Sequence, residues 1–358
     1  MDLHFPFFAG QRTDKAFGSS HVLSPLPIKT MIPKASTCDL LIDKKEAYLE
    51  FGGVGGLIFQ TQIMWMLFCM GFFLFFLPLY IWFGGFSGIY LGSYKEVFVK
   101  GEWIFQLQYF ELFAGLLGTI GPLGGGVFII YKIAQHARKT LSQNLPLRFH
   151  RQRREVMFSS WNEDTKKTEL KFIPWEEVCA MVGQGSAIST GGVMSSASLL
   201  IGANDDEMYG HFWSTVQTGA MHKIHAAAIW EMIRSFMEDG PDSIGEPQPM
   251  TLEGLIEQHC ASRDMKVEEF SAATRFWWYL NGTMLGIWRV NHETKKMKQN
   301  ADSFVEVTEW SKPIPKLQWA KPSEALQYYN KMLSENEYAK GATIFSVGDI
   351  RQKYGDVR

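Results

Sequence analysis

Four arginines, Arg148, Arg151, Arg153 and Arg154, fall within seven residues of the stretch LPLRFHRQRREVMFSSW. Guanidinium groups this close can grip phosphate, hold anionic lipid headgroups, orient a neighbouring membrane segment, or pair with acids such as Glu169, Glu176 or Glu177 on adjacent strands. Nucleic acid is the weakest of these readings: no recognition module accompanies the cluster, and the 358-residue chain has a net charge of -2. His222 and His225 stand three apart in a helical pattern, a spacing that can hold a metal, but no third ligand goes with them. Asn204-Asp205-Asp206-Glu207 could take a cation and reads instead as a solvated turn. Gly183, Gly185, Gly191 and Gly192 match neither the dinucleotide nor the P-loop spacing, and GQGSAISTGG reads as a loop. Ser186 lacks the second glycine of a nucleophile elbow. No nucleophile is paired with a base, so the chain reads as non-catalytic, with no cofactor and no metal. Cys38, Cys69, Cys179 and Cys260 are far apart and lie in no CxxC pattern, so reduced thiols are expected.

Two elements must lie upstream of the arginines. Residues 51 to 94 contain no Asp, Glu, Lys, Arg or His, and IMWMLFCMGFFLFFLPLYIWFGG is their densest part. About 20 apolar residues cross a hydrocarbon core. A first span is therefore predicted over residues 58 to 85, with Trp65, Tyr80 and Trp82 as interfacial aromatics and Pro78 as a possible kink. A second span is predicted over residues 112 to 133, where Gly115, Gly118, Gly121, Gly124, Gly125 and Gly126 offer small surfaces for packing on the first.

Charge sets the expected orientation. Lys132, Arg138, Lys139, Arg148, Arg151, Arg153 and Arg154 follow the second span with no acid before Glu155, which places that flank in the cytoplasm. Residues 1 to 57 are then a cytoplasmic tail, residues 86 to 111 an external loop, and both termini cytoplasmic. Arg138, Lys139 and the four clustered arginines form a candidate membrane- or lipid-facing basic patch, with anionic headgroups as a possible partner.

The body begins at residue 134. Strands are predicted over 155–161, 168–173, 175–182, 198–204 and 210–217, with NEDTKK as a hairpin turn. A helix over 221–240 carries Met221, Ile224, Ala228, Met232 and Phe236 at helical spacing. Antiparallel strands closed by one helix follow the element order of a pleckstrin-homology-like barrel, here residues 134 to 240. The expected fold class is thus an α+β membrane protein: a two-helix transmembrane hairpin, a small antiparallel β domain closed by a helix, and a linker with a mainly helical region over 241–358. Within that region Phe276 to Trp288 is uncharged for 13 residues, too short to span. It reads as a buried helix, an interfacial element or a re-entrant segment, with Trp277, Trp278 and Trp288 as possible partner or membrane contacts.

RFHRQRREVMF, followed after 15 residues by PWEEVCAMV, resembles a pattern in an uncharacterised family of Gram-negative two-span membrane proteins. There an Arg-aromatic-Asn-Arg start opens a strand and a Pro-Trp-acid-acid-Val segment forms a later one; His150 stands where that pattern has Asn. The likeness covers roughly residues 58 to 240. It implies the bacterial inner membrane and a non-catalytic role. Members occur in type VI secretion and interbacterial-toxin gene settings, which implies an immunity or accessory protein whose partner is a toxin or secretion component. The alternative is a lipid-sensing or scaffold protein of the envelope, and after that an enzyme acting on lipid or nucleotide.

Overall fold

The computed structural model describes residues 8–15, 18–35, 38, 40–52, 56–143, 145–189, 192–204, 212–220, 222–263 and 265–356. The protein is α+β, with antiparallel sheets formed from strands on both sides of two apolar helices. By internal contacts it divides into two units, one made of Met1–Gly55, Leu141–Phe270 and Val290–Arg358, the other of Gly56–Thr140 and Ser271–Arg289.

The first unit is built on two five-stranded sheets. Four strands precede the apolar helices: β1 (Arg12–Lys15), β2 (Gly18–Ser24), β3 (Leu41–Lys44) and β4 (Tyr48–Phe51). Six lie beyond them: β7 (Leu147–His150), β8 (Glu155–Asn162), β9 (Lys167–Pro174), β10 (Cys179–Ser189), β11 (Gly192–Asn204) and β12 (Phe212–Ala220). One sheet has the order β1-β2-β10-β11-β12, the other β3-β4-β7-β8-β9. The stretch read as a tail therefore contributes two strands to each sheet, joined at β2–β10 and β4–β7.

Predicted strands after residue 154 are present, with two differences: Trp175–Glu177 form a 3-10 turn ahead of β10, and β10 runs on through the expected loop. Asn162 Oδ1 accepts from the N–H groups of Asp164 and Thr165, making the β8–β9 turn as its composition requires. Gly183 and Gly185 are not in a loop: β10 continues to Ser189, pairing Gly183 with Ser198 and Gly185 with Ser196. Gly183 suits that position because a Cβ there would sit 3.3 Å from Ser198 Oγ. Gly191 lies outside the described residues.

Helix α4 (Lys223–Asp239; α1–α3 are given below) closes the sheets. Ala228, Met232 and Phe236 are buried, as the period demands, but Ile224 is exposed, and the largest side chain the helix buries is Trp230. Met221 lies outside the described residues. The shared core takes Leu49, Phe149, Trp175, Leu199, Ile201 and Trp230, drawing on both sheets and the helix. Each such side chain contributes about 1.5–3 kcal/mol on burial.

The second unit holds α1 (Leu57–Trp82) and α3 (Tyr109–Gln143), both long and apolar enough to cross a membrane. Between them lie α2 (Gly85–Gly92) and a hairpin of β5 (Tyr94–Val99) and β6 (Glu102–Leu107). In α1 the six residues Gly71–Phe76 form a π-turn, where Leu77 N–H reaches back to Phe72 O. Pro78 follows at once, and the wider turn accommodates its missing donor and its ring. None of the most apolar window of α1 and only 6% of that of α3 is buried. The glycines of α3 do not form the expected packing surface on α1. Gly115 faces Ile89 of α2, where a Cβ would come within 2.9 Å of Ile89 Cγ2, while Gly118, Gly124, Gly125 and Gly126 have no atom within 4 Å of that position.

Two further helices matter below: α6 (Ala272–Leu280) and α7 (Thr283–Ser303), preceded by α5 (Leu252–Ser262). None of the four cysteines is in a disulfide.

Candidate functional site

The arginine segment lies inside the first unit. β7 is four residues long and every one is buried, because it is a central strand between β4 and β8. Glu50 of β4 stands directly opposite Arg148 in the register. Arg148 Nε donates to Glu50 Oε1 at 2.9 Å, and its Nη2 also contacts that oxygen. Nη1 donates to Ser311 Oγ at 2.6 Å and Nη2 to Asp302 Oδ1 at 3.0 Å. The guanidinium carbon stands 4.4 Å from the Tyr48 ring centroid. Burial pushes the Glu50 carboxyl above its usual range although Arg148 pulls it down. Burial also works against the Arg148 charge, and Glu50, with Asp302 and Tyr48, more than offsets it.

The turn after β7 carries the other three. Arg154, with φ of 53°, is bidentate on Glu238 at the end of α4, at 2.9 and 2.8 Å, and donates to Glu176 Oε1 at 3.1 Å. Trp175 Nε1 donates to the same Glu238 at 3.0 Å. Arg153 Nε donates to Trp310 O at 3.1 Å, and Arg151 stacks 5.1 Å from the Trp319 ring centroid. His150 Nδ1 accepts from Arg153 N–H at 3.3 Å, and its Nε2 lies 3.4 Å from Lys312 O. Burial, more than any neighbour, lowers His150 to about 4.

A lipid-facing role for Arg148 and Arg154 does not survive this geometry. Both are under a tenth exposed and their donors are directed at carboxylates within the fold. Arg151 and Arg153 are half-buried against the C-terminal region. Only Arg138 and Lys139, near the end of α3, are exposed as the basic-patch reading requires. Of the acids proposed as strand partners, Glu176 does take Arg154, while Glu169 instead accepts from Asn162. Glu50, Glu238 and Asp302 lie far from the cluster in sequence; the one local signal was an acid at position 50 between apolar residues of a short strand-like run.

The remaining candidates stay apart. His222 caps α4, its Nδ1 accepting from Ile224 N–H at 3.3 Å, and no cluster of three metal-ligating side chains exists among the described residues. Asp205, Asp206 and Glu207 fall outside the described residues, and Ser186 lies in β10. Tyr80 and Trp82 sit at the far end of α1, Trp82 84% exposed. Trp65 donates its indole N–H to Leu280 O at 2.7 Å. Trp277 and Trp288 are exposed and Trp278 half-buried.

The network is thus a brace. It ties the pre-helix strands, α4, the segment at Trp175 and the C-terminal region to one turn, and it leaves no donor fork aimed outward from Arg148 or Arg154. Comparison with known proteins finds no matching family model, no matching curated protein and no matching solved structure.

Proposed function

We propose that this chain is an integral membrane protein in which α1 and α3 cross the bilayer as a hairpin and carry a non-catalytic binding body on the cytoplasmic face. The observation that carries the reading is the exposure of the two apolar helices: a buried core helix would be covered by the rest of the chain, and these are not. The sheets give independent support. Strands preceding α1 pair with strands following α3, so both flanks belong to one folded body and must lie on one side of any membrane. That requires an even number of spans. The seven basic residues from Lys132 to Arg154 favour the cytoplasm for that side.

The body is read as pleckstrin-homology-like. β7–β9 in one sheet and β10–β12 in the other, closed by α4, follow that element order, with β3-β4 and β1-β2 added at the sheet edges. The partner proposed for it is a protein, a toxin or secretion component of a bacterial inner-membrane system. That assignment rests on the RFHRQRREVMF and PWEEV motifs alone, whereas the anchoring rests on geometry.

Topology tests the proposal. Glu102 is exposed in the β5–β6 hairpin and Lys166 in the β8–β9 turn. In intact cells a membrane-impermeant maleimide should label Glu102→Cys, and should reach Lys166→Cys only after permeabilisation. Extraction of the protein by alkaline carbonate, or labelling of position 166 in intact cells, would overturn it.

A further inference from the structure

The uncharged stretch from Phe276 to Trp288 is neither a buried helix nor a single one. It forms α6 and the start of α7, joined by Asn281-Gly282. Asn281 Oδ1 accepts from Thr283 N–H at 3.1 Å and Thr283 Oγ1 at 2.6 Å, closing the turn on itself. Gly282 has φ of 87°, and a Cβ there would come within 2.8 Å of Trp65 Cβ. Trp65 Nε1 donates to Leu280 O, and Gln62 Nε2 donates to Thr283 Oγ1 at 2.8 Å. Further along, Gly286 brings α7 against Ile58, where a Cβ would stand 3.0 Å from Ile58 Cα. The contacts therefore run backward along α1, from Trp65 to Gln62 to Ile58, as α7 advances. The turn is the end that lies furthest along α1.

Lengths decide what this turn can reach. From Leu57 to Trp65 the rise along α1 is about 12 Å, and a nine-residue α6 is about 14 Å long. A hydrocarbon core is about 30 Å thick. The pair can enter one leaflet and cannot leave by the other. Its polar backbone is closed internally at the turn, which hydrocarbon demands.

The outward face has the composition of a lipid contact. Phe276, Trp277, Leu280, Leu285 and Trp288 are all exposed, Phe276 at 65% and Trp288 at 62%. A water-facing helix surface carries charge on that side; here none occurs between Arg275 and Arg289. Phe59 and Met66 of α1, next in sequence to the contacting Ile58 and Trp65, are exposed as well, so the apolar surface of α1 flanks the pair.

We propose that α6 and the first turns of α7 form a re-entrant hairpin, seated among the acyl chains of the leaflet that α1 enters first. This rests on the two-span reading of α1 and α3. The occupant of the face is lipid, because the face continues a surface that lipid must already cover.

The test uses the full chain in vesicles of phosphatidylcholine and phosphatidylglycerol, with Cys38→Ser and Cys69→Ala removing the half-buried thiols; Cys179 and Cys260 are buried. A fluorophore is attached in detergent, before reconstitution, at Leu285→Cys, with Trp288→Cys as a second site. Phe73→Cys in α1 and Leu317→Cys, fully exposed in the other unit, serve as references. Labels at 285 and 288 should be quenched by doxyl-bearing lipid and protected from aqueous iodide several-fold relative to position 317. Iodide access equal to that at 317 overturns the hairpin while leaving the spans intact, provided 73 is protected. Protection at 285 from both quenchers also overturns it, because protein then covers the face. Iodide access at 73 overturns the two-span reading itself.

Discussion

His150 is held as the neutral imidazole chiefly by burial, and its Nδ1 contact suits that form. Its Nδ1 accepts from Arg153 N–H while Nε2 faces the Lys312 carbonyl, so the proton belongs on Nε2 and a second one on Nδ1 would confront a donor. Its value falls from 6.5 to about 4 on folding, chiefly through burial. The unfolded chain therefore binds a proton that the native chain refuses between those pH values. The stability this histidine contributes is complete above pH 6.5 and is lost as pH falls toward 4. His21, lowered to about 4 by burial and then by Lys223, acts in the same direction. His150→Asn keeps a polar group at the site without the titration. Between pH 7 and pH 4.5 the variant should lose on the order of 2 kcal/mol less stability than the unsubstituted protein. Thermal melts of the solubilised chain at several pH values check this, and parallel pH curves would refute the assignment. The sequence showed a histidine among arginines and nothing of this, since burial at position 150 comes from Trp310 and Lys312, 160 and 162 residues on.

β4 and β7 show what an ion pair does when two short strands meet at the centre of a sheet. Each is only four residues long, so their ladder is brief, and Glu50 and Arg148 face each other across it with 0% and 1% exposed side chains. Removing Glu50 takes away the one fully buried carboxylate on Arg148 and leaves it the exposed Asp302. Glu50→Ala should cost about 3–5 kcal/mol, as breaking a buried pair does, whereas Glu50→Leu with Arg148→Met should recover most of that loss. A double-mutant cycle measured by urea unfolding reads the coupling; additive single effects would show that the pair does not hold the strands. Local elements such as β8, β9 and α4 were legible because alternation, a turn residue and a 3.6 period are all local signals. β4 was not, because YLEF is too short for a pattern and gains its meaning only from a partner near residue 148. GQGSAIS misled for the opposite reason: its glycines read as a loop, yet they lie in β10, where Gly183 runs close beside Ser198.

At the scale of the molecule, the order of elements carries more than any single site. A body completed by strands from both sides of α1 and α3 cannot fold until both flanks are made, and neither flank can be discarded as a tail. Without residues 8–52, β10 loses its β2 neighbour and β7 its β4 neighbour, leaving two open sheet edges and an Arg148 without its buried partner Glu50. A chain beginning at residue 56 should therefore aggregate or be degraded. Co-expression of residues 1–52 as a separate chain should restore solubility, because the missing strands dock by edge pairing and the Glu50–Arg148 contact rather than by covalent continuity. Yield and melting temperature of the truncated chain, with and without the fragment, decide the matter; a truncated protein that melts like the full chain would show that the N-terminal strands are an ornament on a self-sufficient body. The expected result makes the apolar helix pair, the proposed membrane hairpin, an insertion within one domain. Both ends of the apolar helix pair would then be fixed to a single body by sheet hydrogen bonds. Strand pairing would keep both flanks on one side, since a flank carried across a bilayer could not pair with the strands left behind.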